Sequence, residues 1–146
     1  MVNVRRWIAG GLVLVAMLTG CGSPDQKVRD AAAQSAREAL SEVNTTRLTI
    51  EQLRSHRLWS QPAGQIVADA EKGLGTAASS FESQQPQTEV SARLYAQVVK
   101  ALGDAQTTVT AVRIALGDGN LAAAGEQLDA LRRAADDLSA IGAPAK

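Results

Sequence analysis

The sequence predicts an all-α protein, an up-down-up-down four-helix bundle behind a separate N-terminal segment. Two observations carry that prediction. Apolar residues recur at alternating steps of four and three along four stretches, the spacing that places them on one face of a helix. Short runs rich in Gly, Pro and Ser separate the stretches, and short turns make neighbouring helices antiparallel. Composition suits this fold: hydrophobic residues make up 45% of the chain but aromatics only 3%. Such a core is mostly alanine, valine and leucine, which favours close helix approach over a broad ligand cavity.

The first helix is expected from about Gln26 to Leu58, with an inward stripe of Ala32, Ala36, Ala39, Val43, Thr46, Ile50 and Leu53 and with Leu40 on its flank. Asn44, Thr45 and Thr46 have below-average helix propensity and form its weakest patch. Ser60-Gln61-Pro62 marks a restart, with Ser60 suited to capping and Pro62 tolerated in a first turn. The second helix, about Ala63 to Ser83, follows with Ala63, Val67, Ala70, Leu74, Ala77 and Phe81. Gly73 and Gly75 each weaken it by about 1 kcal/mol relative to alanine, which suggests close approach or a bend there.

Pro86 is placed to begin a third helix ending near Leu116, with its seam at Tyr95, Val98, Leu102, Ala105, Val109, Val112 and Leu116. Gly117-Asp118-Gly119-Asn120 is a stop, and Asp118 or Asn120 is the next cap. The fourth helix carries Leu121, Ala124, Leu128, Leu131, Ala135 and Leu138, and Gly142-Ala143-Pro144 ends it. The same spacing would also serve a longer coiled-coil oligomer.

Ahead of the bundle, Arg5 and Arg6 precede a dozen mostly apolar residues, Trp7 to Leu18, and small Gly20 precedes the only cysteine, Cys21. Basic, apolar and small residues in that order form the pattern of an export signal. The apolar run is shorter than the roughly 20 residues a membrane-spanning helix needs. Leu18-Thr19-Gly20-Cys21 resembles the lipobox of bacterial lipoproteins, a resemblance confined to residues 1–21. It implies a diacylglyceryl group on the Cys21 sulfur, cleavage before Cys21 and often acylation of the new amine. The domain plan is then a cleaved signal peptide at 1–20, a lipidated cysteine and tether at 21–25, a helical bundle at 26–142 and a tail at 143–146. Arg5-Arg6 leaves Sec and twin-arginine export both open. Two or three acyl chains hold a small domain stably at a membrane, at about 0.8 kcal/mol per buried methylene.

Charge and composition exclude several functions. The chain has 15 basic and 15 acidic residues, and loss of Arg5 and Arg6 with the signal would leave it at −2, so a nucleic-acid partner is not expected. With Cys21 lipidated no thiol remains. His56, the single histidine, cannot make a zinc site without several converging carboxylates, and it is expected as an exposed residue near a helix end. Asp136-Asp137 and Asp69 with Glu71 are the nearest acidic sets, but adjacent helical residues point apart and read as charged surface. The sequence carries no nucleophile elbow, phosphate loop or dinucleotide fingerprint, and neither an enzyme nor a cofactor is expected.

The remaining candidate feature is basic. Arg47 and Arg54 flank the inward stripe of the first helix, Arg57 follows them, and Arg113 should reach the same end of the bundle from the third helix. Arginine suits bidentate contact with carboxylates or phosphates, so these four could meet an anionic partner. Alternatively they lie over the seam and pair with Glu51, Asp104 or Asp118. Cys21 would hold the start of the first helix at the membrane, placing the turns at Trp59 and at Gly117 to Asn120 at the distal tip. The expected function is that of a lipid-anchored envelope adaptor on the extracytoplasmic face of the cell membrane, with an envelope protein as its possible partner. A binding protein for an anionic small molecule or polymer and a self-associating spacer are the alternatives.

Overall fold

In a computed structural model describing residues 23–143, the chain is helical and contains no strand among those residues. The signal segment, Cys21 and the residues after 143 lie outside them. The helices are α1 (Pro24–Arg54), α2 (Ser60–Glu82), α3 (Glu89–Gly117), α4 (Leu121–Glu126) and α5 (Leu128–Gly142). The expected fourth helix is thus two pieces in one rod, interrupted at Gln127, where the backbone tightens and Gln127 N–H donates to Ala124 O at 3.2 Å. The interruption lies two residues after Gly125, the residue of lowest helix propensity in α4.

The up-down-up-down arrangement is visible in contacts between elements distant in sequence. At the end where α1 begins, Thr88 Oγ1 donates to Asp25 Oδ1 at 2.6 Å, and farther along the same half of α1 Arg37 donates to Gly142 O at 3.2 Å. At the opposite end, the Arg54 side chain lies over Gly125. The helix packed between α1 and α3 on one side is α2, and on the other it is the α4–α5 rod, which does not touch α2. Helices α1 and α3 also meet each other across the bundle. The small stripe residues of α1 permit that approach: Ala36, Ala39 and Val43 are fully buried.

Every residue of the expected stripes of the first two helices is buried. In the third, Val98, Leu102, Ala105, Val109 and Val112 are buried while Tyr95 and Leu116 are partly covered. In the fourth, Ala134 is buried and Ala135 only partly so. The weak Asn44-Thr45-Thr46 patch stays helical. Thr46 and Thr49 are buried, and each hydroxyl donates to the carbonyl four residues earlier, at 3.0 and 2.8 Å, so no donor is stranded.

The helix ends differ from expectation by a few residues, each for a local reason. Helix α1 begins at Pro24, which takes the first helical position while Ser23 accepts from Gln26 N at 3.2 Å. It stops at Arg54 instead of Leu58, because His56 adopts the left-handed conformation at φ 55°. His56 N–H then donates to Leu53 O and Arg57 N–H to Gln52 O, the paired bonds of a Schellman end. Ser60 does not cap α2; it is the first helical residue, and Trp59 holds the cap position without a side-chain bond. Pro86 lies outside α3. Thr88 caps that helix through reciprocal bonds with Ser91, leaving residues 83–88 as the connector.

No helix among the described residues is long and apolar enough to cross a membrane.

Candidate functional site

The two ends of the bundle use their aromatic residues in opposite ways. At the near end, where α1 begins, Phe81 is fully buried and stacks on Tyr95 with ring centroids 5.3 Å apart. Tyr95 Oη donates to Glu82 O at 3.1 Å, closing the α2–α3 corner. At the far end, Trp59 is 84% exposed. A large indole is seldom left so open where packing alone decides its position.

Local sequence explains the placement. The Schellman end of α1 turns the chain sharply at His56, and α2 restarts only three residues after Arg57. Leu58 and Trp59 are therefore held in the short link, off both inward stripes. An open cleft of about 450 Å³ lies beside them, lined by Leu53, His56, Leu58, Trp59, Ser60 and Leu121. Leu121 also borders a neighbouring recess with Arg54, Ala122, Gly125 and Glu126. The apolar cleft and the Arg54 recess thus share a wall.

The four arginines singled out from sequence do not converge. Arg54 and Arg57 stand at the far end, both exposed, and neither makes a salt bridge among the described residues. Arg47 lies two turns below, in the α1–α5 groove, with Nη1 3.7 Å from Glu51 Oε1. Arg113 lies in the α2–α3 groove, where its Nε sits 2.5 Å from Glu71 Oε2. Thr110 Oγ1 donates to the other Glu71 oxygen at 2.6 Å, making a half-buried interhelix cluster. The 83–88 connector accounts for the position of Arg113: by displacing the start of α3, it sets that residue against the middle of α2.

Arg47 and Arg113 therefore have intramolecular partners, Glu51 as anticipated and Glu71 in place of Asp104 or Asp118. The groove around Arg47 also holds Asn44, Arg132, Asp136 and Ser139, and among the described residues Arg47 Nε, like Arg113 Nε beside Glu71, is buried without a hydrogen bond of good geometry. Cys21 lies outside the described residues. Exposed His56 acts as a backbone turn residue. Among the described residues, no three or more His, Cys, Asp or Glu side chains are grouped so as to hold a metal ion.

Sequence reasoning placed Trp59 at the tip but not in a site. Its available signal was position: it falls between two apolar stripes and belongs to neither. Leu58, Leu121 and His56 join it only through the turn geometry.

Compared with protein-family models, with curated proteins and with solved structures, the chain matches none.

Proposed function

We propose that this protein is a lipid-anchored envelope adaptor, held at the membrane through Cys21 and presenting the far end of its bundle to another envelope protein. The exposed Trp59 beside an apolar cleft carries the reading, because exposed aromatics rimmed by polar groups are characteristic anchors of protein interfaces. The topology supports it. Ser23, two residues after Cys21, caps α1 at the near end, so a membrane anchor there directs Trp59 outward. Helix α1, with 31 residues, would hold that surface about 46 Å away at 1.5 Å per residue.

The test has two parts. Cys21→Ala should abolish incorporation of a labelled fatty acid, and persistent labelling would remove the anchor from the account. Chemical cross-linking of intact cells, followed by recovery of the tagged protein, should yield one dominant partner that Trp59→Ala loses. If recovery is unchanged by Trp59→Ala, the far end is not the adaptor surface.

A second reading, binding of a small anion, has its own observation in the unpartnered Arg47 Nε of the α1–α5 groove. It predicts a saturable rise in Tm with citrate or phosphate that Arg47→Gln removes. No rise with either anion would dismiss it.

A further inference from the structure

The chemistry of the far-end cleft specifies what kind of partner segment it fits, a step that rests on the adaptor reading. We infer that the cleft receives an acidic segment of the partner protein, with one or two apolar side chains seated against Leu58, Trp59 and Leu121 and carboxylates facing Arg54 and Arg57.

Shape supplies the first part of the argument. At about 450 Å³ the cleft falls within the roughly 300–1,000 Å³ of small-ligand sites. That is room for a side chain or two of an extended segment or a helix end, and too little for a whole helix face. Its lining is apolar except for His56 and Ser60. Trp59 and Leu58 project from a link pinned on both sides, by the Schellman bonds of α1 and by the start of α2. Little side-chain or loop freedom is therefore lost on binding.

Charge supplies the second part. Among the described residues no carboxylate lines the cleft, and Glu126 is the one acid lining the adjoining recess, beside Arg54. The Glu51, Gln52 and Leu53 carbonyls near the end of α1 accept from the Ser55, Arg57 and His56 N–H groups. The start of α2 is different: its cap residue Trp59 has no side chain bonded to the first turn, and that turn contains no acid. Arg54 in the adjoining recess, exposed Arg57 in the turn between the cleft residues His56 and Leu58, and the positive end of a 23-residue helix are therefore all found around this apolar opening, and neither arginine has a salt bridge among the described residues. An acidic segment complements all three, whereas a basic one is repelled. An anionic bilayer is the weaker match, since surfaces that recognise it present about 4–8 Lys or Arg and this end presents two.

The mature protein in phosphatidylcholine nanodiscs gives a direct test, because Trp59 is the only tryptophan after Cys21 and its emission reports on the cleft. Three peptides of equal length are titrated, with leucine alternating with glutamate, glutamine or lysine. The glutamate peptide should shift Trp59 emission to the blue and saturate. The glutamine peptide, or the Arg54→Gln/Arg57→Gln variant, should bind about tenfold or more weakly, a loss of about 1.4 kcal/mol. Arg93→Gln, an exposed change at the near end, should leave the titration unaltered.

No saturable shift with the glutamate peptide, equal binding of all three, or indifference to the double variant would each overturn the inference. A shift with phosphatidylglycerol vesicles but not with the glutamate peptide would also overturn it, assigning the cleft to lipid. The adaptor reading fails separately. If the protein cross-linked to this end in cells contacts it through a basic or uncharged segment, the inference is lost and the adaptor stands. If nothing cross-links there, the adaptor reading itself is lost.

Discussion

The near and far ends of this bundle are built from the same materials and finished differently. At the near end, Phe81 and Tyr95 are packed, Thr88 caps α3 and bonds Asp25 of α1, and Arg37 reaches the last carbonyl of α5. Each of those contacts joins two elements. At the far end the two turns are closed by Schellman backbone bonds at His56 and at Gly119 and by local side-chain bonds of Ser55 and Asn120, the latter capping α4, while Trp59 and Leu58 are left at the rim. Stability accounts for the first end. The far-end turns are closed by their own hydrogen bonds, yet Trp59, the largest side chain there, stays exposed, which separates what folding requires from what the proposed adaptor surface would use.

The strongest way to break this contrast is to truncate one aromatic at each end. Phe81→Ala removes a fully buried ring and should cost about 3–5 kcal/mol, read from the urea midpoint at constant m. Trp59→Ala should change stability by no more than about 0.5 kcal/mol. If the two losses were similar, Trp59 would be a packing residue and the contrast would fail.

A smaller effect is expected from the caps. Thr88→Ala deletes the side-chain acceptor for Ser91 N and the bond to Asp25, and should cost about 1 kcal/mol in the same urea experiment. No loss would mean that the near end is held by the aromatic pair and the Arg37 contact without help from the cap.

The far-end turns sharpen the comparison further. His56 and Gly119 occupy the same left-handed position, at φ 55° and 69°, but only glycine does so without strain. His56→Gly should therefore stabilise the fold by about 0.5–1 kcal/mol, and Gly119→Ala should destabilise it by about 1 kcal/mol. Thermal unfolding of both variants checks the pair, and equal signs would contradict the geometry.

The smallest effect belongs to the exposed flank between the ends. The hydrogen bond that Lys100 Nζ donates to Asp104 Oδ2, together with the charge of that carboxylate, raises the Lys100 pKa above its ordinary 10.5. A raised pKa contributes stability that is present below the unfolded value and lost as pH rises through the folded one. At neutral pH that contribution is present in full, but the pair is exposed and screened by solvent, so Lys100→Gln should leave Tm essentially unchanged. A clear drop in Tm would show that this pair braces α3.

The stripes were legible in the sequence because helical periodicity depends only on which residues are apolar. The ends were not, because each depended on a specific backbone conformation or side-chain bond. Histidine in a left-handed turn carries no periodic signal, so α1 was expected to run on to Leu58. The reciprocal Thr88–Ser91 cap lacks the usual Glu or Gln, so Pro86 stood out in its place. The arginines illustrate the same limit at the level of the site. Arg54 and Arg57 reach the tip because sequence distance from the turn fixes them there. Arg113 does not, because its level depends on how far the 83–88 connector displaces α3 along α2, and periodicity leaves that stagger undetermined. Trp59 was visible as a residue outside every stripe, but its exposure follows from the sharp turn at His56.

The central claim is that the far end was left open for a partner. The most direct measurement places a photoreactive amino acid at position 59, or at exposed position 90 near the other end, and irradiates intact cells. The account predicts a discrete protein adduct from position 59 and none of that size from position 90. An adduct from position 90 alone, or from neither position, would contradict it.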